Sequence, residues 1–384
     1  MKIVHICLAN FYIDNYSYQE NILPVYHKKM GNDVTIIASW QSFDDNGKLF
    51  IRDYTNYTKY QTKDEIDIYR IPYKKGIYPK VLYQKLRLYE NWSNILEVIK
   101  PDIVFVHGCQ FADINKLIHF VRKNHTKLYI DNHADYINSA KTWYSNLLHR
   151  IVWKSYAKKI EPYVTKFWGV TPLRSLFLQD VYKIEPSKID TLIMGVDIDN
   201  MEIDQRAIIR SKLRIELNVE DNDILLISGG KLDKLKGTLK LLEAFIKLKK
   251  ANLKLVLFGT ISAEIKDEFY KYLKIDKRIN YVEWINADVI FKYFYAADIA
   301  IFPGTHSVLW EQAIGLGVPT IIKKWDGFEH LAINESVVEI NNVTVDNLTN
   351  SISEVCERLH FYTKCGKDNM KVFSYREIAK KSIS

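Results

Sequence analysis

Short runs rich in valine, isoleucine and leucine alternate with helix-patterned segments along this chain, and near residue 200 the alternation begins again. Strands are expected at 2–8, 33–38, 66–71, 103–107, 127–131 and 166–170, with helices such as 18–29, 81–99 and 113–124 between them. The second set places strands at 224–228, 253–258, 279–283, 299–302 and 320–322, and helices at 239–250, 262–273, 289–296 and 308–315. Alternation of this kind predicts a parallel sheet wrapped by helices. Its restart predicts an α/β chain of two doubly wound units. The boundary is expected within MGVDIDNMEI, which divides the chain into 1–196 and 197–370, with a basic helix closing 371–384.

The length of 384 residues is enough for two complete cores. Hydrophobic and charged contents of 47% and 26% are those of a soluble globular protein, so fibrous and disordered classes are set aside. Cys7, Cys109, Cys356 and Cys365 show no paired metal-ligand spacing; buried free thiols are expected, which fits a reducing cytoplasm. The opening MKIVHICLAN is too short an apolar run for a signal peptide and reads as a first strand. No segment reaches the roughly 18 apolar residues of a membrane span. A net charge of +8 favours anionic partners such as sugar nucleotides, membrane surfaces or nucleic acid.

Residues 225–319 carry the chemistry of the second half. The run LLISGGKLDKLKG sets Gly229 and Gly230 after a strand, with Lys231 and Lys236 around the following turn. Glycines that admit a close anion, a following helix and two cations suit a diphosphate. Two solvated lysines in a lysine-rich chain are the plainer alternative. Later, Gly304, Thr305, His306 and Ser307 lead into the helix 308–315. Ser307 is its expected N-cap, with the N–H groups of Val308, Leu309 and Trp310 turned to an anion. Within that helix Glu311 and Gln312 are candidates for a ribose or sugar hydroxyl; consecutive helical residues diverge by about 100°, so only one is expected to face a ligand, and Glu311 facing solvent is the bland alternative. Trp284 and Ile285, after the strand 279–283, complete the donor-side candidates.

In the first half, His133 follows a strand in LYIDNHADY, where ligands of parallel sheets bind. It is placed to donate a hydrogen bond to a sugar hydroxyl or to meet an acceptor, with Asp131 and Asp135 to orient it; a structural loop histidine is the alternative. His107, in IVFVHG, has the same placement. Two basic aromatic stretches stand apart. Residues 69–90 hold six Lys/Arg against one acid, and residues 141–160 hold five against none. Such helices rest on anionic lipid; a solvated face is the alternative. No nucleic-acid readout motif is present.

On these residues the chain resembles a family 4 retaining glycosyltransferase of the GT-B fold, along nearly its whole length and most strongly after residue 190. MGVDIDN is similar to the family's interdomain "nGvD" turn, and GGKLDKLKG to its "GRL…KG" pattern, with Lys231 in place of the usual arginine. YAADIAIFP at 295–303, GLGVP at 315–319, DGFEHL at 326–331 and FSYREIA at 373–379 are similar to "aaDv…P", "a.G.P", "gG.pE" and the closing "fsW..ia" helix. GNDVTIIAS resembles "GheVtvit", and DNHADY resembles "t.Hd", which carries the family's donor-sugar histidine onto His133. Two features depart from the family. Its glycine pair after the first strand is replaced by Tyr16, Ser17, Tyr18, Gln19 and Glu20, which implies a bulkier acceptor-side loop. Its paired glutamates are missing: Gln312 stands at the second and Gly304 at the first, which leaves Glu311 or His306 as substitutes.

The resemblance implies two Rossmann-like domains facing a cleft, an acceptor domain at 1–196, a donor domain at 197–370, and a last helix that returns to the first domain. It implies transfer of a sugar from a nucleoside diphosphate sugar, UDP by preference, with retention, to a saccharide or lipid-linked saccharide for a surface polysaccharide or glycolipid. Lys231 and Lys236 would relieve charge on the leaving diphosphate and His133 would serve the sugar, with Tyr16, Tyr18, Gln19, Glu20 and His107 on the acceptor side. No cofactor or metal ion is expected, and no nucleic-acid partner. Localisation is expected to be cytoplasmic, peripheral to the inner face of the cell membrane. The missing glutamates motivate a second expectation, a catalytically silent GT-B subunit that partners another transferase. An epimerase of similar fold is the third.

Overall fold

The computed structural model describes residues 1–384 except 44–48, 138, 141, 287 and 288. The chain clusters into two compact units, Met1–Ile193 with Ile378–Ser384, and Met194–Glu377.

The first unit is built on an eight-stranded sheet. From edge to edge it runs Ile189–Thr191, Lys166–Gly169, Lys127–Asn132, Ile103–His107, Lys2–Cys7, Asp33–Ser39, Asp67–Ile71 and Lys59–Gln61, all parallel except the last. Ile103–His107 is buried along its full length and Lys2–Cys7 everywhere after Lys2, as expected of strands covered on both faces. Val4, Ile6, Val104, Val106, Leu128 and Ile130 pack under Leu117, Phe120, Trp153 and Phe177. The strand order turns back between Lys2–Cys7 and Ile103–His107. The loops leaving these two strands therefore splay apart and open a crevice at their carboxyl ends.

The second unit has six parallel strands in the order Ile279–Val282, Leu253–Phe258, Ile224–Gly229, Ile299–Phe302, Thr320–Lys323 and Val337–Ile340. Leu226, Leu255, Leu257, Ile299, Ile301 and Ile321 pack against Leu241, Phe245, Leu348 and Ile352. Here the order turns back between Ile224–Gly229 and Ile299–Phe302, so the loops beginning at Gly230 and Pro303 flank the crevice.

Several elements differ from expectation. The helix expected over 81–99 is two, Lys80–Leu86 and Trp92–Ile99. Arg87 and Asn91 take φ of 54° and 44°, which stops a right-handed helix, and the intervening Tyr89 bridges Tyr73 and donates its N–H to Asp113 Oδ2 at 3.1 Å. Val337–Ile340 adds an edge strand. The units divide at 193/194 and 377/378, not at 196/197 and 370/371. The cause is that Val196 N donates to Phe373 O at 2.6 Å, Tyr375 N donates to Val196 O at 3.2 Å, and the Phe373 ring is fully buried. Cys7 and Cys109 are buried, Cys356 and Cys365 half-buried, and all four are free thiols. Among the described residues no helix is long and apolar enough to cross a membrane.

Candidate active site

The second unit's crevice is built by backbone packing that admits only glycine. A Cβ on Gly229 would lie 2.2 Å from the Phe258 ring, and one on Gly259 would lie 1.9 Å from Gly230 O. A Cβ on Gly304 would lie 2.3 Å from both Leu235 O and Lys236 Cα. The two loops therefore touch main chain to main chain, and Thr305 N donates to Leu235 O at 3.1 Å. Gly259 N also bonds Glu283 O at 3.1 Å, which brings in the segment carrying Trp284, largely exposed, and Ile285, buried.

Lys231 and Lys236 differ in setting. The Lys231 side chain is 71% exposed, with Asp233 Oδ2 3.9 Å from its Nζ. Lys236 is half-buried; its Nζ donates to Thr305 O at 2.5 Å and His306 O at 3.0 Å, and its N–H is held by Asp233 Oδ1 at 2.8 Å. Burial lowers its ammonium to about 8, partly opposed by Asp233. One side chain thus clasps both loops and stays charged at neutral pH.

The second loop departs from its expected form. The helix is Leu309–Gly315, its N-cap is Val308, and Ser307 makes no side-chain cap. Ser307 O instead accepts the Trp310 N–H at 3.0 Å, which removes Trp310 from the expected trio of free donors. Glu311 does not face solvent: it is fully buried, its Oε1 accepting from His306 Nε2 at 2.8 Å and His330 Nε2 at 3.3 Å. Burial would raise its carboxyl, but the His306 and His330 contacts outweigh that and lower it to about 2. Gln312 is buried too. Of the two expected substitutes, Glu311 is thus fully enclosed, while the His306 side chain keeps 10% of its surface exposed. Its ring lies against Phe328 at 4.6 Å and Trp310 at 5.3 Å, and its carbonyl is held by Lys236. His330 lies in the DGFEHL segment at 326–331, where no local pattern marks it as the partner of Glu311.

In the first unit Glu20, His107, Asp131 and His133 come together. Asp131, fully buried, accepts from His107 Nδ1 at 2.7 Å and Gly108 N at 2.8 Å, and lies 3.4 Å from His133 Nε2. Glu20 Oε1 lies 3.7 Å from the same nitrogen. Burial alone would lower the His133 pKa and raise that of Asp131; Asp131 and then Glu20 raise His133 instead, and His107 and then His133 lower Asp131. Asp135 pairs with Arg174 Nε at 3.0 Å. Gln19 is buried, and neither end of its amide is hydrogen-bonded among the described residues. The Tyr16 and Tyr18 rings lie 5.2 Å apart, tilted by 38°, in the loop before it. Glu20, His107 and His133 offer ligand atoms within 4.8 Å of one another, but both His107 nitrogens are committed, to Asp131 and to His5.

Residues 209–371 match the family described as Glycosyl transferases group 1. No curated protein matches the sequence. Sucrose-phosphate synthase from Thermosynechococcus elongatus superposes with a TM-score of 0.70 at 14% identity, over 99% of this chain and 96% of that one. HepE from Anabaena, solved with UDP, gives 0.69 at 14% identity over 99% and 98%. WaaG, a glycosyltransferase involved in lipopolysaccharide biosynthesis, gives 0.66 at 15% identity over 99% and 98%. At such identity the structures establish the fold alone. The chain thus has the two-unit GT-B fold of these structures, and its residues 209–371 match the group 1 glycosyltransferase family.

Proposed function

We propose that the chain moves a sugar, with retention of anomeric configuration, from a nucleoside diphosphate sugar to a saccharide or lipid-linked saccharide at the inner membrane face. The observation that carries this is the glycine-built crevice with Lys231 exposed at its mouth and Lys236 clasping its loops. HepE has been solved with UDP and with UDP-glucose, which makes UDP-sugars the first donors to test. In the proposed step the bond between the anomeric carbon and the phosphate oxygen breaks. The acceptor oxygen bonds that carbon from the same face, and its proton passes to the departing phosphate. The two lysines meet the charge that grows on the diphosphate, which is where electrostatic stabilisation has most effect. His133 donates to a sugar hydroxyl, and His306 stands in for the missing glutamates.

A thermal-shift series with UDP-, GDP- and ADP-sugars tests donor binding. UDP-sugars are expected to raise Tm, and proton NMR of the product is expected to show the donor's anomeric configuration. An inverted product, or no shift with any nucleotide sugar, would overturn the reading.

The membrane part rests on the two basic aromatic stretches. Arg70 and Arg87 of the first stretch are taken up internally: Arg70 is buried against Asp14, and Arg87 donates to Gln110 O at 2.8 Å. Lys74, Lys75, Lys80 and Lys85 remain exposed beside Ile77, which is 92% exposed, and Val81. Lys141, at the start of the second stretch, lies outside the described residues. That stretch exposes Trp143, at 80%, with Tyr144, Leu147 and Ile151, near Arg150 and Lys159. The two are joined through Gln110, whose Nε2 donates to Tyr182 OH at 2.9 Å, and Tyr182 OH in turn pairs with His149 Nδ1 at 2.7 Å. Exposed apolar side chains among lysines suit an anionic bilayer. Trp143→Ser with Ile151→Ser is expected to weaken flotation with anionic liposomes by about tenfold or more. Unchanged flotation would remove this surface from the proposal.

A further inference from the structure

One guanidinium of the first unit lies against both loops of its crevice without an acid beside it. Arg87 ends the helix Lys80–Leu86 with φ of 54° and ψ of 55°. Glycine or asparagine makes that left-handed turn most readily, so a long cationic side chain there answers to something besides the turn. Its guanidinium carbon is 5.6 Å from the centre of the Phe11 ring, in the loop after Lys2–Cys7. Its Nη1 donates to Gln110 O at 2.8 Å, in the loop after Ile103–His107. Gln110 Nε2 donates onward to Asn132 Oδ1 and to Tyr182 OH, each at 2.9 Å, and Asn132 is the residue before His133.

The charge on Arg87 is not compensated. It has no ion pair among the described residues, and the bond to Gln110 O uses one of its five N–H groups. The acids of the neighbouring turns are engaged elsewhere. Glu90 Oε1 accepts from Lys75 N at 3.2 Å, and Asp113 Oδ2 accepts from Tyr89 N and Trp92 Nε1, both at 3.1 Å. Burial lowers the guanidinium below its ordinary value, with Tyr89, Tyr73, Tyr182 and Cys109 opposing. Burial in turn raises those three phenols and that thiol, so all four are neutral at pH 7. Arg87 itself stays charged. It is half-buried, so part of its surface is open. Asn10 Nδ2, one residue before Phe11, is a buried donor with no acceptor among the described residues. Exposed lysines follow the same turns: Lys74, whose N–H donates to Leu88 O at 2.9 Å, and Lys80 and Lys85 on the helix that Arg87 ends. A cation with neutral walls and unused N–H groups suits an oxyanion, which a guanidinium fork binds through two oxygens.

We propose that Arg87 seats a phosphate group of the acceptor, so that the acceptor is a saccharide esterified to phosphate. The acceptor role rests on the transferase proposal above; the oxyanion seat does not. The plainer role for Arg87 is to staple the loop at Gln110, and the two roles predict different results.

Arginine Nε–H NMR of the intact chain reads the seat directly, the Arg87 signal being the one missing from Arg87→Lys. Glucose 1-phosphate, added with UDP at saturation, is expected to shift that signal saturably. Methyl glucoside at the same concentration is expected to leave it in place. A signal unmoved by glucose 1-phosphate, or moved equally by methyl glucoside, would overturn the seat. A signal that UDP moves first, and that glucose 1-phosphate then leaves alone, would give the guanidinium to the donor and overturn the acceptor assignment. By calorimetry, Arg87→Gln is expected to bind glucose 1-phosphate about tenfold more weakly or worse, with Arg87→Lys intermediate because it keeps the charge and loses the fork. Wild-type affinity in a folded Arg87→Gln would leave the staple as the only role. If that variant does not fold, the wild-type signal still decides. Failure of UDP to bind would count against the transferase reading and the acceptor role with it, whereas the seat is judged by glucose 1-phosphate alone.

Discussion

Lys236→Ala is expected to lower kcat/KM by about 10- to 150-fold, the loss of a charge-assisted contact worth about 1.5–3 kcal/mol. Lys231→Ala should lose a comparable factor, because its exposed ammonium gives the diphosphate the same charge. The two variants should separate on stability. Lys231 is 71% exposed and its pairing with Asp233 is long, at 3.9 Å, so its removal should leave Tm unchanged. Lys236 bonds the carbonyls of Thr305 and His306, and its loss leaves both loops without their clasp. At about 1 kcal/mol per bond, a drop of roughly 4–8 °C in the unfolding of the second unit is expected. The pH dependence follows from the same burial. With its ammonium lowered to about 8, free Lys236 is charged below that pH and neutral above it. A bound diphosphate favours the charged form, so UDP-glucose affinity should be level near pH 7. It should weaken, by at most tenfold per unit, as pH rises through 8. Calorimetry in two buffers of different ionisation enthalpy reads the accompanying proton uptake. A Kd that stays level to pH 9.5, or a Lys236→Ala variant that keeps the slope, would dissociate this lysine from the ligand.

The parts of the molecule visible in the sequence are those set by short spacing. Strand 224–229, its two glycines and the helix after them lie within one local pattern, as do both sheets' alternations of strand and helix. The parts that were hidden depend on pairs far apart in sequence. Glu311 is buried because His330, nineteen residues on and across the strand Thr320–Lys323, brings a ring nitrogen to it. His5 reads as an isolated polar residue in an apolar strand; its meaning comes from His27 and His107, which the fold places on either side of it. The Ser307 cap was expected on residue type alone. It failed because the chain enters the helix one residue later, where the serine's carbonyl, not its hydroxyl, meets the Trp310 N–H. The split of helix 81–99 had no glycine or proline to announce it. Tertiary bonds to Tyr89 impose the left-handed turns at Arg87 and Asn91.

The largest effect on stability is expected at Glu311. Its buried carboxylate accepts from two imidazoles through one oxygen, so Glu311→Ala leaves both donors facing a hole. Removing one partner of a buried charged cluster costs about 3–5 kcal/mol, enough to unfold the second unit near physiological temperature. Glu311→Gln keeps the shape and one acceptor, and should cost less while discarding the charge. The acid limb distinguishes charge from shape. The folded carboxyl is lowered to about 2, below the ordinary value near 4.5 that it has in the unfolded chain. Its contribution is therefore complete above about pH 4.5 and is lost as pH falls towards 2, about 3 kcal/mol in all. Glu311→Gln should flatten the unfolding curve over that window and leave its slope above pH 5 unchanged. Because Glu311 holds the His306 ring, both variants should also weaken UDP-sugar binding, the glutamine by less than the alanine. A glutamine variant with the wild-type acid limb would show that shape alone keeps this loop in place, and that His306 needs no carboxylate behind it.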